Sequence, residues 1–168
     1  MISEKMNQLI NDQYHREMFS AHQYFAMSSY FLDKDLDGFA NFFRVQAEEE
    51  IMHGLKQFDY VHEVDGKITS GPLEAPENEF ESVLDVFEKA LGHERYITQN
   101  INAIVKAALE EGDFATHNFF QWFIEEQVEE ESLMRSLIAK LKLIDGNTSA
   151  LYMMNEELMA RKAGQEAA

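Results

Sequence analysis

Long segments with apolar residues at helical spacing predict an all-α protein. The expected architecture is a four-helix bundle with one long crossover between the second and third helices and a short fifth helix at the C-terminus. Three observations carry this. Four segments are each long enough to run the length of a bundle, and Gly or Asp-Gly signals separate them. Only 2 prolines occur in 168 residues, and both fall in one linker, so the helical segments are uninterrupted. With 45% hydrophobic residues, the chain can bury a sizeable core as one domain spanning residues 1–168.

The first helix is expected from about Ser3, a suitable N-cap, to about Lys34, with Met6, Leu9/Ile10, Gln13, Glu17, Ala21, Tyr24/Phe25, Ser28 and Phe31/Leu32 inward. Asp35-Leu36-Asp37-Gly38 ends it, and so short a link implies an antiparallel neighbour. The second helix, about 38–65, carries the stripe Phe39, Phe42/Phe43, Gln46, Glu50, His53/Gly54, Gln57/Phe58 and Val61. From Lys67 to about Phe80 the chain holds Pro72 and Pro76 and reads as extended. About fourteen residues at roughly 3.3 Å each span some 45 Å, whereas a helix of about 28 residues is roughly 42 Å long. The link can therefore return along the whole bundle and leave the second and third helices parallel. The third helix is expected over about 81–111, with Val83, Val86/Phe87, Ala90, Glu94, Ile97/Thr98, Ile101, Val105 and Ala108/Leu109 inward, and the fourth over about 113–143, divided by Gly112-Asp113. Asp145-Gly146-Asn147 precedes a fifth helix at about 148–158.

Composition narrows the chemistry. The absence of cysteine removes disulfides, thiolate zinc sites, iron–sulfur clusters and cysteine nucleophiles together. A metal would have to be held by oxygen and nitrogen ligands, a set suited to Fe, Mn, Mg or Zn. The formal charge of −17 argues against nucleic-acid and anionic-membrane partners and favours local enrichment of cations. No apolar run is long enough to span a bilayer, and the start is unlike a secretory signal, so the expected location is cytoplasmic.

Each long helix interrupts its apolar stripe with Glu or Gln near mid-length. Glu17, Glu50, Glu94 and the Gln127/Glu130 pair would meet at one height in a bundle of near-equal helices, whichever way each runs. Glu50 and His53, three residues apart, share one helix face and can reach a common point. Carboxylates gathered there without partners would cost several kcal/mol each. They can coexist only by protonation or by binding a cation. A slipped stripe could explain one or two such residues in water, but is a poor account of four independent helices. A buried metal site is the expectation.

The pattern Glu17, Glu50-x-x-His53, Glu94 and Gln127-x-x-Glu130 resembles that of the ferritins, and the chain looks like a prokaryotic non-haem ferritin. The stretches Asn118-Phe119-Phe120-Gln121-Trp122-Phe123 and Glu125 to Glu131 are also similar to the family's fourth helix. The resemblance implies the ferritin-like bundle and an intra-subunit pair of irons. Glu17, Glu50 and His53 would bind one iron. Glu50 would bridge to the second, which Glu94 and Glu130 would also hold, with Gln127 close to the pair. It further implies a third iron site at Glu49, Glu126 and Glu129, together with Glu130. Tyr24 would be a nearby tyrosine that bonds a ligand or donates an electron. The implied activity is ferroxidase: Fe(II) is oxidised with O₂ or H₂O₂, and Fe(III) is stored as an oxo-hydroxide mineral inside a homo-oligomeric shell of 24 subunits.

Rival readings are weaker on the residues. A bacterioferritin would carry Glu-x-x-His on the fourth helix and Met directly after the bridging glutamate. Here Gln127-x-x-Glu130 and Ile51 stand in those places, so no haem is expected. Rubrerythrin-like peroxidases need cysteines for their second module. The small DNA-protecting relatives place histidines of the first helix between subunits. A storage shell without oxidase activity, or an acidic scaffold for protein partners, would leave the set from Glu17 to Glu130 without a role. His15, His22, His62, His93 and His117 do not join the inward set.

Overall fold

The structure, a computed structural model, describes residues 1–164; the last four residues of the expected 1–168 domain lie outside the described residues. Five helices occur in the order α1 (Glu4–Leu32), α2 (Asp37–Glu63), α3 (Val83–Glu111), α4 (Phe114–Ile144) and α5 (Thr148–Met159). Every bound falls within two residues of its sequence expectation. Short polar side chains cap four of the five. Ser3, Ser82, Asp113 and Asn147 accept from Met6, Asp85, Thr116 and Ala150 backbone N–H groups at 2.9–3.1 Å.

The second helix is capped from elsewhere. Leu36 offers no side-chain acceptor, and Asn155 of α5 takes the Gly38 and Phe39 N–H groups on its Oδ1 at 2.8 and 3.2 Å. Gly38 is required for this approach, because a Cβ there would run into the Asn155 backbone carbonyl. Turns after α1, α2 and α4 place Asp35, Asp65 and Asp145 at positive φ, where aspartate is among the few non-glycine residues that settle readily.

Contacts at the helix ends fix directions. Ile2 N–H bonds Val64 O, so α1 and α2 are antiparallel. Ser3 Oγ donates to Glu111, which sets α3 antiparallel to α1 and hence parallel to α2. Tyr60 meets Thr116, so α4 opposes α2. The crossover runs along α1, as its length predicts, and α1 side chains grip its backbone at successive turns. Asn7 Oδ1 accepts from Lys67 N–H, and Asn11 pairs with Lys67 O and Thr69 N–H. His15 Nε2 accepts from Gly71 N–H, and Gln23 makes a two-way clasp with Glu77.

The apolar core is divided. One cluster holds Phe31, Phe39, Phe42, Phe43 and Phe87 near the α1–α2 turn. The other holds Met6, Ile10, Val61, Ile101 and Phe120 at the opposite end. The polar layer lies between them. Three residues expected on the inward stripes are instead exposed: Phe25, Leu32 and Leu109, at 43%, 57% and 51%. Each sits one position beyond a buried neighbour, outside the arc that a bundle covers on each helix.

Candidate metal centre

The mid-helix expectation holds on all four helices: Glu17, Glu50, His53, Glu94, Gln127 and Glu130 are buried, at 0–4% exposure. Ligand atoms of Glu17, Glu50 and His53 lie within 4.8 Å of one another. His53 Nδ1 stands 3.5 Å from Glu50 Oε2 without hydrogen-bond geometry. Two donors each about 2.1 Å from a shared ion stand at roughly this separation. Glu17 Oε2 and both Glu50 oxygens are buried and have no hydrogen-bond partner among the described residues. Burial pushes the His53 imidazole below its usual range, which favours the neutral ring that ligates metals.

The other members are held by neighbours. Glu17 Oε1 accepts from Gln13 and Gln57, both at 2.9 Å. Glu94 accepts from the Tyr24 hydroxyl and, at 3.0 Å, from Gln127 Nε2. Gln127 also reaches Thr98, whose hydroxyl bonds Glu131 at 2.8 Å. Glu130 accepts from Gln46 at 2.8 Å. Burial raises Glu94 to about 7, although the Tyr24 and Gln127 bonds pull it down. Burial, followed by repulsion from Glu94, lifts Glu50 and Glu130 well above the usual carboxylate range. Tyr24 rises for the same two reasons.

The flanking carboxylates are arranged differently. Glu49 is buried, but Arg161, just beyond α5, holds its Oε2 at 3.2 Å, and Gly164 N–H donates to its Oε1 at 3.3 Å. Glu126 is partly exposed, with Oε1 3.9 Å from His53 Nε2, and Glu129 is exposed. All three line one cleft of about 800 Å³, together with Trp122. The Trp122 ring stands edge-on to His53 at 5.4 Å and beneath Lys56 Nζ at 3.7 Å. Glu48 faces solvent and pairs with Arg44. His93 touches the site indirectly, with its ring edge-on to Tyr24 and its Nε2 2.6 Å from Ser20 Oγ.

The glutamines around the layer were visible as stripe residues, and Gln13 lies one turn from Glu17, but spacing alone does not say which carboxylate each will serve. Nothing in the sequence pattern points to Arg161.

A family profile described as Ferritin-like domain matches residues 7–144. The chain belongs to the ferritin family. A bacterial non-haem ferritin of Campylobacter jejuni is 39% identical over 156 residues, covering 93% of each chain. One from Staphylococcus haemolyticus is 37% identical over 166 residues, covering 99% of this chain and 100% of its own. Among solved structures, an open-pore ferritin from Archaeoglobus fulgidus superposes with a TM-score of 0.95 at 42% identity, covering 96% of this chain and 100% of its own. A closed form engineered from that ferritin gives 0.96 at the same identity, over 97% and 99%. The ferritin fold and family support iron storage, iron binding and assembly into oligomers. No helix among the described residues is long and apolar enough to cross a membrane.

Proposed function

We propose that this ferritin is a ferroxidase that oxidises Fe(II) within each subunit and stores the product as a ferric oxo-hydroxide mineral inside a cytoplasmic shell of 24 subunits. The observation that carries this is the group of buried, unpartnered oxygens on Glu17 and Glu50 beside a neutral His53. Carboxylate oxygens buried between two apolar clusters call for a cation to offset their desolvation.

In this reading iron is substrate. Glu17, Glu50 and His53 bind one Fe(II), and Glu50, Glu94 and Glu130 bind the second. Gln127 and Tyr24 aim Glu94, and Gln46 aims Glu130. Each Fe(II) gives up one electron, and one O₂ takes both with two protons to leave as hydrogen peroxide. Peroxide in place of O₂ would take the same two electrons and two protons to leave as water. Pairing the metals lets the oxidant accept both electrons at one site without shedding radicals. Glu49, Glu126 and Glu129 serve a further cation on the cleft side.

Stopped-flow absorbance after mixing the assembled apo-protein with Fe(II) in air tests the assignment. Glu50→Ala and Glu94→Ala should abolish the rapid phase while the shell persists by size-exclusion chromatography. An unchanged initial rate in both variants would refute it.

A further inference from the structure

Phe42, Gln46 and Glu49, at spacings of four and three, run up one side of α2 with Asn41 beside Phe42, and one residue beyond α5 follows them. The Asn41 amide donates to Leu158 O and Arg161 O, both at 3.0 Å, and so fixes the backbone where α5 ends. From there the Arg161 side chain lies over the Phe42 ring at 4.4 Å. Its Nη2 reaches both Gln46 Oε1 and Glu49 Oε2. The group is only 14% exposed, and its Nε and Nη1 are buried without hydrogen-bond partners among the described residues.

The contact to Gln46 has a consequence one step inward. An amide has one acceptor end and one donor end. Arg161 occupies the acceptor end, so Nε2 is left to donate to Glu130 at 2.8 Å. One guanidinium thus acts on two carboxylates, Glu49 directly and Glu130 through an oriented amide. A guanidinium remains charged at every accessible pH and matches carboxylate geometry. It stands where the carboxylate layer opens on the cleft that Trp122, Glu126 and Glu129 also line.

We propose that Arg161 is a tethered cation on the cleft side of the metal centre, and that a metal ion binding at Glu49 must displace it. The proposal makes Arg161 a positioning residue. It holds Glu49 and Glu130 aimed before metal arrives, and it lowers the affinity of the outer site until the guanidinium swings away. It rests on the reading of Glu49, Glu126 and Glu129 as ligands for a further cation.

Trp122, the only tryptophan, provides a local reporter. Terbium(III), a redox-inert ion that prefers oxygen ligands, should emit when Trp122 is excited and the ion is bound in the cleft. In a titration of the assembled apo-protein, Arg161→Gln should reach half-saturation at about tenfold lower terbium, the scale of one lost charge-assisted bond. Arg161→Lys should restore the parent curve, a rescue that a purely steric role would not give. Asn41→Ala, which frees the backbone but keeps the guanidinium, should shift the curve in the same direction by less. Coincident curves for Arg161→Gln and parent, with Glu49→Gln abolishing the signal, would overturn displacement and leave the outer site standing. If Glu49→Gln leaves the signal unchanged, the outer site fails, and the proposal with it.

Discussion

The Tyr24 hydroxyl donates to Glu94 Oε1, and both side chains are wholly buried. The bond links α1 to α3 across the bundle centre and gives a buried carboxylate one of its two neutral donors.

Tyr24→Phe removes that donor without opening a cavity. Glu94 then holds its proton more tightly, because the Tyr24 bond favours the ionised form. Zn(II) affinity at neutral pH, read by calorimetry, should fall about tenfold, as expected for a lost bond to a charged group. Unchanged affinity would show that Glu94 is aimed by Gln127 alone.

Glu50→Gln should stabilise the apo-protein against heat. Both oxygens of Glu50 are buried and unpartnered, and Glu94 and Glu17 repel its charge. An amide keeps the shape and removes the charge, so the melting temperature rises while divalent-ion binding is lost. A lower melting temperature at fixed protein concentration would count against this electrostatic account.

Acidity should act on stability and on binding in opposite senses. Glu94 sits at about 7 when folded, and Glu50 and Glu130 are raised as well. A carboxyl with a raised folded-state pKa contributes stability that is fully present below its unfolded value. That contribution is lost as pH rises through the folded one. Apo stability should therefore decline as pH rises through about 7, while Zn(II) affinity climbs because the ligands must lose protons. Calorimetry in buffers of different ionisation heat should record proton release on binding. Heats that do not depend on the buffer would contradict it.

Asn155→Ala should cost about 1 kcal/mol, as the loss of a helix cap does. Gly38→Ala should cost more, because its Cβ meets the Asn155 backbone carbonyl and pushes α5 from α2. Chemical denaturation ranks the two, and the reverse order would mean that α5 shifts easily.

Helix bounds and the buried carboxylate layer were legible because each leaves a local mark. Ser3 and Asp113 are capping residues ahead of apolar runs. Glu17 or Glu94 stands out because a charge on a core stripe needs a reason. The same logic carried Phe25 and Leu109 inward, since a stripe two residues wide does not reveal where the partner helix ends. Arg161 left no mark at all. Its position depends on how α5 docks through Asn155 and Asn41, contacts that bring together residues more than a hundred positions apart. Glu49 was legible through the resemblance as a flanking carboxylate, but not as one already bound to a guanidinium.

The crossover has a quieter consequence. Asn7, Asn11, His15 and Gln23 grip it through bonds to backbone groups, with no charged partner in the set. Neutral clasps of this kind are almost indifferent to ionic strength. In a chain of charge −17, cation binding of the kind proposed would swing the internal field widely. A charged tie of the crossover, the Lys89–Glu77 ion pair, runs to α3 instead, so the strap's grip on α1 itself is set by bonds that such a change leaves alone.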